Sequence, residues 1–350
     1  MGQLGSYTLS VVTVITPIND RLMAKATSDD APPPRRALAA ASNLARVAAG
    51  FALLALLYHW RIIDVGTLRV LLARPDILTL ALVASLANIP LEALRWHILL
   101  RAQGLELRLA RTMRILATSI FFANFLPGAA GGDLIRGIYI YQATEGRRTP
   151  ALLSILIDRL LGLVAFVLIG LAAMLARPAT TDTALELAIV ALSATFIAAL
   201  AVVFRFGHRI AQSLRWAMSG RNARLVQVID DTGVALRQYA HDWRSTGLAL
   251  LLSAAIVALA VGPIVLIAEA MPLAGPSALD YGIAGLYALI ANSLPVTPGG
   301  LGIGEGAFAS ACAMLAPHAA HAAYGTIFLA FRCVFILSTL PGLLAYLIYV

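Results

Sequence analysis

Charge is what this sequence has least of: Asp, Glu, Lys and Arg make up 13 % of its 350 residues, against about 25 % in soluble domains. Lysine is nearly missing, with Lys25 the only one. The basic side chains are therefore almost all arginines, which hold phosphate-type groups bidentately, although a GC-rich genome produces the same bias. Two cysteines, Cys312 and Cys333, both in apolar stretches, exclude a disulfide framework and a cysteine metal site. His318 and His321 stand in one loop without a third ligand in the sequence, so no metal is expected. No Ser-His-Asp grouping, phosphate-cradling loop or paired-cysteine motif occurs, and no polar stretch is long enough to be a catalytic domain. Gly302-x-Gly304-x-x-Ala307 spells a dinucleotide fingerprint by letter, but its surroundings are apolar and no strand precedes it. Gly300 with Gly304, and Gly302 with Gly306, are more simply small residues that let helices approach. No cofactor is expected.

What is abundant is apolar surface. Hydrophobic residues are 60 % of the chain and the mean hydropathy is +0.84, more than a soluble fold of this length can hide. Several apolar stretches reach about 20 residues, the length that crosses roughly 30 Å of hydrocarbon as a helix. The fold class is thus an all-α polytopic membrane protein. The net charge of +8 sits in short loops beside these stretches, where the bias toward basic cytoplasmic loops accounts for it. No nucleic-acid module is present, so no nucleic-acid partner is expected.

Residues 1–38 form a polar, proline-containing leader, expected to be disordered and cytoplasmic. Its apolar run Leu9–Ile18 is too short to span, and the sequence leaves open whether Met1 or Met23 is the start. The membrane domain takes 39–350. Spans are expected at about 44–60 and 77–100, then a hairpin over 115–142 and a span at 151–176, closing a first repeat over about 44–176. A second repeat over about 184–350 has spans at 184–204 and 248–270, a hairpin over 281–315 and a last span at 322–349. Arg114 before the first hairpin, and Arg147 and Arg148 after it, put both its ends on the cytoplasmic side. Its arms of about 10 residues cover roughly 15–17 Å, half a bilayer. It reads as re-entrant, the alternative being one kinked spanning helix. Between the repeats, residues 205–244 hold seven arginines around Leu225, Val228, Ile229, Leu236, Tyr239 and Trp243. That pattern fits a cytoplasmic amphipathic helix, lying on the membrane or packing on the protein's own loops. Met271–Asp280 has no basic residue and is expected outside, which leaves both termini cytoplasmic.

One interruption occurs in each half. Asn124–Asp133 reads NFLPGAAGGD and Asn292–Gly300 reads NSLPVTPGG, so N-x-L-P-x-x-x-G-G appears twice. Each half reads span, span, hairpin, span, and the halves start on opposite sides. The expected architecture is an inverted-topology repeat, three transmembrane helices and one re-entrant hairpin per half, with the hairpin tips meeting near the midplane where transporters place their sites.

Charges at mid-membrane cost about 2.5–3.5 kcal/mol each on the insertion scale, yet several fall there. Glu92 with Arg95, and Asp133 with Arg136, sit at i and i+3; Asp158 adjoins Arg159; Glu305 and Arg332 lie in the second hairpin and the last span. Such groups either pair internally and staple helices, with snorkelling a further option for Arg95, or serve a function. Arg159 and Arg332, apolar on both sides, fit the second reading. Two arginines from related helices, beside glycine turns with unobstructed N–H groups, suit an anionic headgroup such as a phosphate. Asp133 and Glu305 would then bind a cationic moiety, carry a proton or balance the arginines.

Arg95-Trp96, NFLPGAAGGD-x-x-R, Asp158-Arg159 and LPVTPGGLGIGEG together resemble the flippase-like transmembrane region of the lysylphosphatidylglycerol synthase (multiple peptide resistance factor) family, over about residues 44–350. The resemblance implies moving or modifying lipids: aminoacylated phosphatidylglycerol, hopanoid precursors or polyprenyl-linked sugars. Full-length synthases carry a soluble aminoacyl-transferring domain after this region; with none in these 350 residues, synthase activity is not expected. Mapped onto the chain, the motifs suggest Asn124, Pro127, Gly131, Gly132, Asp133, Arg136, Asp158, Arg159, Asn292, Pro295, Gly299, Gly300, Glu305 and Arg332 as cavity residues. The expected function is a lipid translocator in the bacterial inner membrane. With no ATP-binding motif, movement is expected to be downhill or ion-coupled. Membrane lipids are the expected partners, alongside a homo-oligomer or an envelope-biogenesis enzyme. The rivals are a membrane-embedded transferase with Asp133 and Glu305 as acid and base, and a non-transporting partner in envelope lipid biogenesis.

Overall fold

A backbone in hydrocarbon must satisfy its own N–H and C=O groups, and helices do so within one segment. The computed structural model follows that rule over the residues it describes: 54–59, 62–63, 65–126, 128–144, 147–177, isolated positions between 194 and 213, 223–271, 275–294, 296–317 and 323–349. The expected leader, most of the spans at 44–60 and 184–204, and the motif prolines Pro127 and Pro295 lie outside the described residues. The elements are α1 (Val65–Leu72), α2 (Pro75–Ala102), α3 (Leu109–Ala123), α4 (Gly128–Ala143), α5 (Arg148–Leu175), α6 (Ala223–His241), α7 (Trp243–Ala270), α8 (Ala278–Asn292), α9 (Ile303–Leu315), α10 (Gly325–Ser338) and α11 (Leu340–Tyr349). Among the described residues, four stretches are long and apolar enough to cross a membrane: α2, α5, α7 and Gly325–Ile348, which α10 and α11 form together.

Local chemistry sets several boundaries. Pro75 opens α2, where its missing N–H leaves nothing unpaired. Asp242 caps α7 by accepting from the Ser245 N–H, and Ser277 and Asp280 cap α8 reciprocally. α2 and α7 each run 28 residues with a proline inside, Pro90 and Pro263, and they form the most extensive contact among the described helices.

Two helical hairpins nest against this pair. The first, α3 with α4, buries Ile115, Leu116 and Ile140 against Trp96 and Leu100 of α2 and Ile155 of α5. The second, α8 with α9, buries Tyr281, Ala284 and Phe308 with Ile264 of α7 and Phe328 and Phe331 of α10. Arg147, just ahead of α5, donates to the carbonyls of Gln103 and Gly104 at the base of the first hairpin. Arg177, just past the other end of α5, pairs with Asp280 at 2.8 Å and reaches the Leu315 carbonyl, at the base of the second. The hairpin bases thus sit at opposite ends of α5, and their turns touch: the Gly299 N–H donates to the Leu126 carbonyl at 3.3 Å.

The arms of the first hairpin are longer than hydropathy indicates, 15 and 16 residues. α3 starts at Leu109 because Arg111 and Arg114 are good helix formers that break an apolar count without breaking a helix. The repeated motif also folds in two ways. Gly299 and Gly300 keep the second turn open at φ +56° and +70°, whereas Gly131 and Gly132 are already helical, so the expected turn over Leu126–Asp133 shortens to a helix starting at Gly128. There the glycines serve close approach: a Cβ on Gly132 would come within 2.9 Å of the Ala123 side chain and the Ser119 carbonyl.

Of the two readings of residues 205–244, α6 takes the packed one. Its Ala235 and Tyr239 are buried; Gln103 donates to the Ala235 carbonyl and the Tyr239 hydroxyl to the Leu99 carbonyl at 3.1 Å. Burial pushes the Tyr239 phenol up, so it remains a donor.

A left-handed non-glycine residue costs about 1–2 kcal/mol, and a Cβ on Gly300 would collide with Asn292. Gly300→Ala is therefore expected to lower the melting temperature in detergent, read by scanning fluorimetry. Gly247→Ala, in α7 with nothing within 4 Å of the new methyl, is expected to leave it unchanged or raise it. Equal melting temperatures for the two variants would contradict the turn geometry.

Candidate functional site

Where the hairpin turns meet, the last span holds both. Asn124 donates through Nδ2 to Thr339 Oγ1 (3.1 Å), at the break between α10 and α11. Asn292, its counterpart in the repeated motif, accepts through Oδ1 from Arg332 Nη2 (2.8 Å).

Arg332 is the hub of the second turn. Its Nε donates to Glu305 Oε1 at 2.5 Å and its Nη1 to the Gly299 carbonyl at 2.5 Å. Its Nη2 also donates to the Gly300 carbonyl and to Glu305 Oε2, both at 3.1 Å. Glu305, fully buried, accepts the Gly302 N–H at 2.8 Å and so caps the start of α9. The left-handed glycines turn their carbonyls onto the guanidinium. All three nitrogens of Arg332 are engaged by the protein itself, so its first task is to hold this turn.

The first hairpin repeats that pairing without the extra ties. Arg159 grips both oxygens of Asp133 at 2.8–3.0 Å. The partners are 26 residues apart, as Arg332 and Glu305 are 27 apart. Their surroundings differ: the side chains of Arg159 and Asp133 are 52 % and 25 % exposed, those of Arg332 and Glu305 10 % and 0 %.

A third cluster lies at the crossing of α2, α4, α5 and α7. Asp158 receives Arg95 Nε at 2.7 Å and Arg136 Nη1 at 2.9 Å. Arg95 also donates to Ser253 of α7 at 3.0 Å. The Arg136 guanidinium lies 3.7 Å above the Trp96 ring, and the Trp96 indole donates to Ser154. Two buried Arg136 nitrogens, Nε and Nη2, have no hydrogen-bond partner among the described residues.

Among the described residues, neither i,i+3 acid–arginine pair joins within its helix. Glu92 accepts from Asn88 at 3.3 Å rather than holding Arg95, and Asp133 and Arg136 each cross to α5. Residues at i and i+3 share a face, and here that face packs on α5, which supplies partners of the opposite sign. Arg95 does not snorkel either; it is 6 % exposed. Of the cavity set suggested by the motifs, Asn124 joins the last span, Asp133 and Arg159 form one pair, Arg136 and Asp158 another, and Asn292, Gly299, Gly300, Glu305 and Arg332 one network. Gly131 and Gly132 are buried in α4. Arg95, Trp96, Ser253 and Thr339 belong to these networks but not to that set. The charge of Arg95 and the Arg95-Trp96 pair of the family resemblance are the sequence signals pointing to them; the hydroxyl partners carry none.

Among the described residues, four membrane-crossing candidates, two helical hairpins and internally paired charges define a helical membrane protein of the multi-pass kind. The chain belongs to the family described as the lysylphosphatidylglycerol synthase TM region, which it matches over residues 43–342. No curated protein and no solved structure matches it.

Removing the shared acid from the buried cluster strands two arginines, a change that costs about 3–5 kcal/mol for buried pairs. Removing the acid of an exposed pair costs about 1 kcal/mol or less. Asp158→Asn is therefore expected to destabilise far more than Asp133→Asn, read as the shift in denaturation midpoint. The reverse order would refute the assigned pairing.

Proposed function

We propose that the chain is a lipid translocase of the bacterial inner membrane. Its hairpins are re-entrant from opposite faces of an inverted repeat, and a lipid headgroup crosses in a wet groove beside Asp133 and Arg159 while the acyl chains stay in lipid. The carrying observation is the half-exposed ion pair near the middle of a membrane-length helix. Hydrocarbon cannot solvate such a pair, so the surface it faces must hold water or a polar group. A buried guanidinium with two spare donors, Arg136, stands one turn along α4 from Asp133. Such groups suit an anionic or glycosyl- or aminoacyl-modified headgroup. The family supports a lipid-related role. An acid–base role for Asp133 and Glu305 gains nothing from this geometry, since both carboxylates are held by arginines.

In proteoliposomes carrying fluorescent phospholipids, Arg159→Ala is expected to slow translocation about tenfold, the loss of a charge-assisted contact of about 1.5–3 kcal/mol. Its melting temperature is expected to stay within a few degrees of the parent's. Undiminished translocation in Arg159→Ala, or none in the parent protein, would refute this function.

A further inference from the structure

We propose that a cleft at the base of the first hairpin docks the phosphate of an anionic phospholipid. The cleft, about 180 Å³, lies between α3, α4 and α11 and is lined by Arg111, Arg114, Thr118, Tyr139, Gln142 and Tyr346. Arg111 and Arg114 sit on one face of the first turns of α3, where the helix dipole also favours an anion. Arg111 is exposed, and no described acceptor engages its guanidinium. The Arg111 guanidinium, two phenols and an amide supply donors for several phosphate oxygens at once; Arg114, whose Nε donates to the Ala110 carbonyl, adds positive charge. The Tyr346 wall is held by an edge-on contact with Phe122, 5.1 Å between centroids.

The surroundings select a lipid over a free anion. Next to the cleft residue Tyr139, α4 presents Ile138 at 46 % exposure, and Ile115 and Ala345 add apolar lining to the cleft itself. Inorganic phosphate uses only the polar floor, while a phospholipid also lays its chains along this apolar rim. The cleft is separate from the Asp158 and Arg332 networks. It rests on the proposed function only for its depth, since the base of a cytoplasmic re-entrant hairpin lies at headgroup level. In that setting it gathers substrate before the groove beside Asp133.

Native mass spectrometry of the detergent-solubilised chain, titrated with phosphatidylglycerol, tests the site. The double variant R111Q/R114Q is expected to lower apparent affinity about tenfold, whereas Arg101→Gln, an exposed arginine outside the cleft, changes it by less than about twofold. Phosphatidylcholine is expected to bind more weakly, and inorganic phosphate to compete poorly. Unchanged binding by R111Q/R114Q overturns the site. Equal binding of phosphatidylcholine overturns the anionic assignment, and displacement of the lipid by equimolar inorganic phosphate overturns the lipid assignment. If the double variant does not fold, Arg111→Glu, at an exposed side chain with no bond to lose, makes the same test. Binding lost in R111Q/R114Q but no translocation by the parent protein would leave this site standing and remove the proposed function.

Discussion

A guanidinium placed among membrane-length apolar helices finds no solvation in lipid, so its counter-charge has to come from the chain. That constraint arranges this structure more than any hydrophobic preference does. Apolar side chains gain little by choosing one helix over another when the alternative is an acyl chain. An arginine can be answered only by an acid at one position and distance. Arg95, Arg136 and Asp158 tie α2, α4 and α5 together, and the Ser253 contact adds α7. Arg332 joins α10 to α8, α9 and the glycine turn between them. Each network crosses helices that would otherwise slide in a nonspecific environment.

The glycines follow from the same demand. For Arg332 to be filled by the Gly299 and Gly300 carbonyls, the chain must point two successive oxygens inward, which the left-handed conformations at these positions allow. Among the described residues, no such arginine stands over the first turn. Arg159 reaches Asp133 inside α4 instead, and the glycines there stay helical and admit α3 at close range. One motif therefore serves two local structures, because the partner across the interface differs.

That difference marks how far the sequence could be read. Apolar length identified the spans covered by α2, α5, α7 and the last helix pair, and the motif located both hairpins. That Asp133 and Glu305 balance Arg159 and Arg332 was one of three readings the sequence left open; for Asp133, i,i+3 spacing also offered Arg136 as a nearer partner, which the packing of α4 on α5 removes. The start of α3 was hidden by Arg111 and Arg114, which lower hydropathy without opposing a helix. The buried face of α6 rests on Tyr239 meeting a backbone carbonyl of α2, a contact that no pattern of residue types announces.

The two acid–arginine pairs are also unequal, and the inequality bears on movement. Under the proposed inversion they occupy equivalent places. The Arg332 pair is buried and braced by Asn292 and two carbonyls, while the Arg159 pair is half-exposed and has no comparable brace among its described contacts. Net hydrogen bonds to charged groups are worth about 1.5–3 kcal/mol each, so opening the second hairpin is the costlier step by several such bonds. A headgroup can drive that step only through the difference in its affinity for the two states. Contacts it makes equally in both cannot shift them. Under the proposed function, the orphan donors of Arg136, buried beside Asp158 and one turn from the exposed pair, are the groups that an anionic headgroup would satisfy.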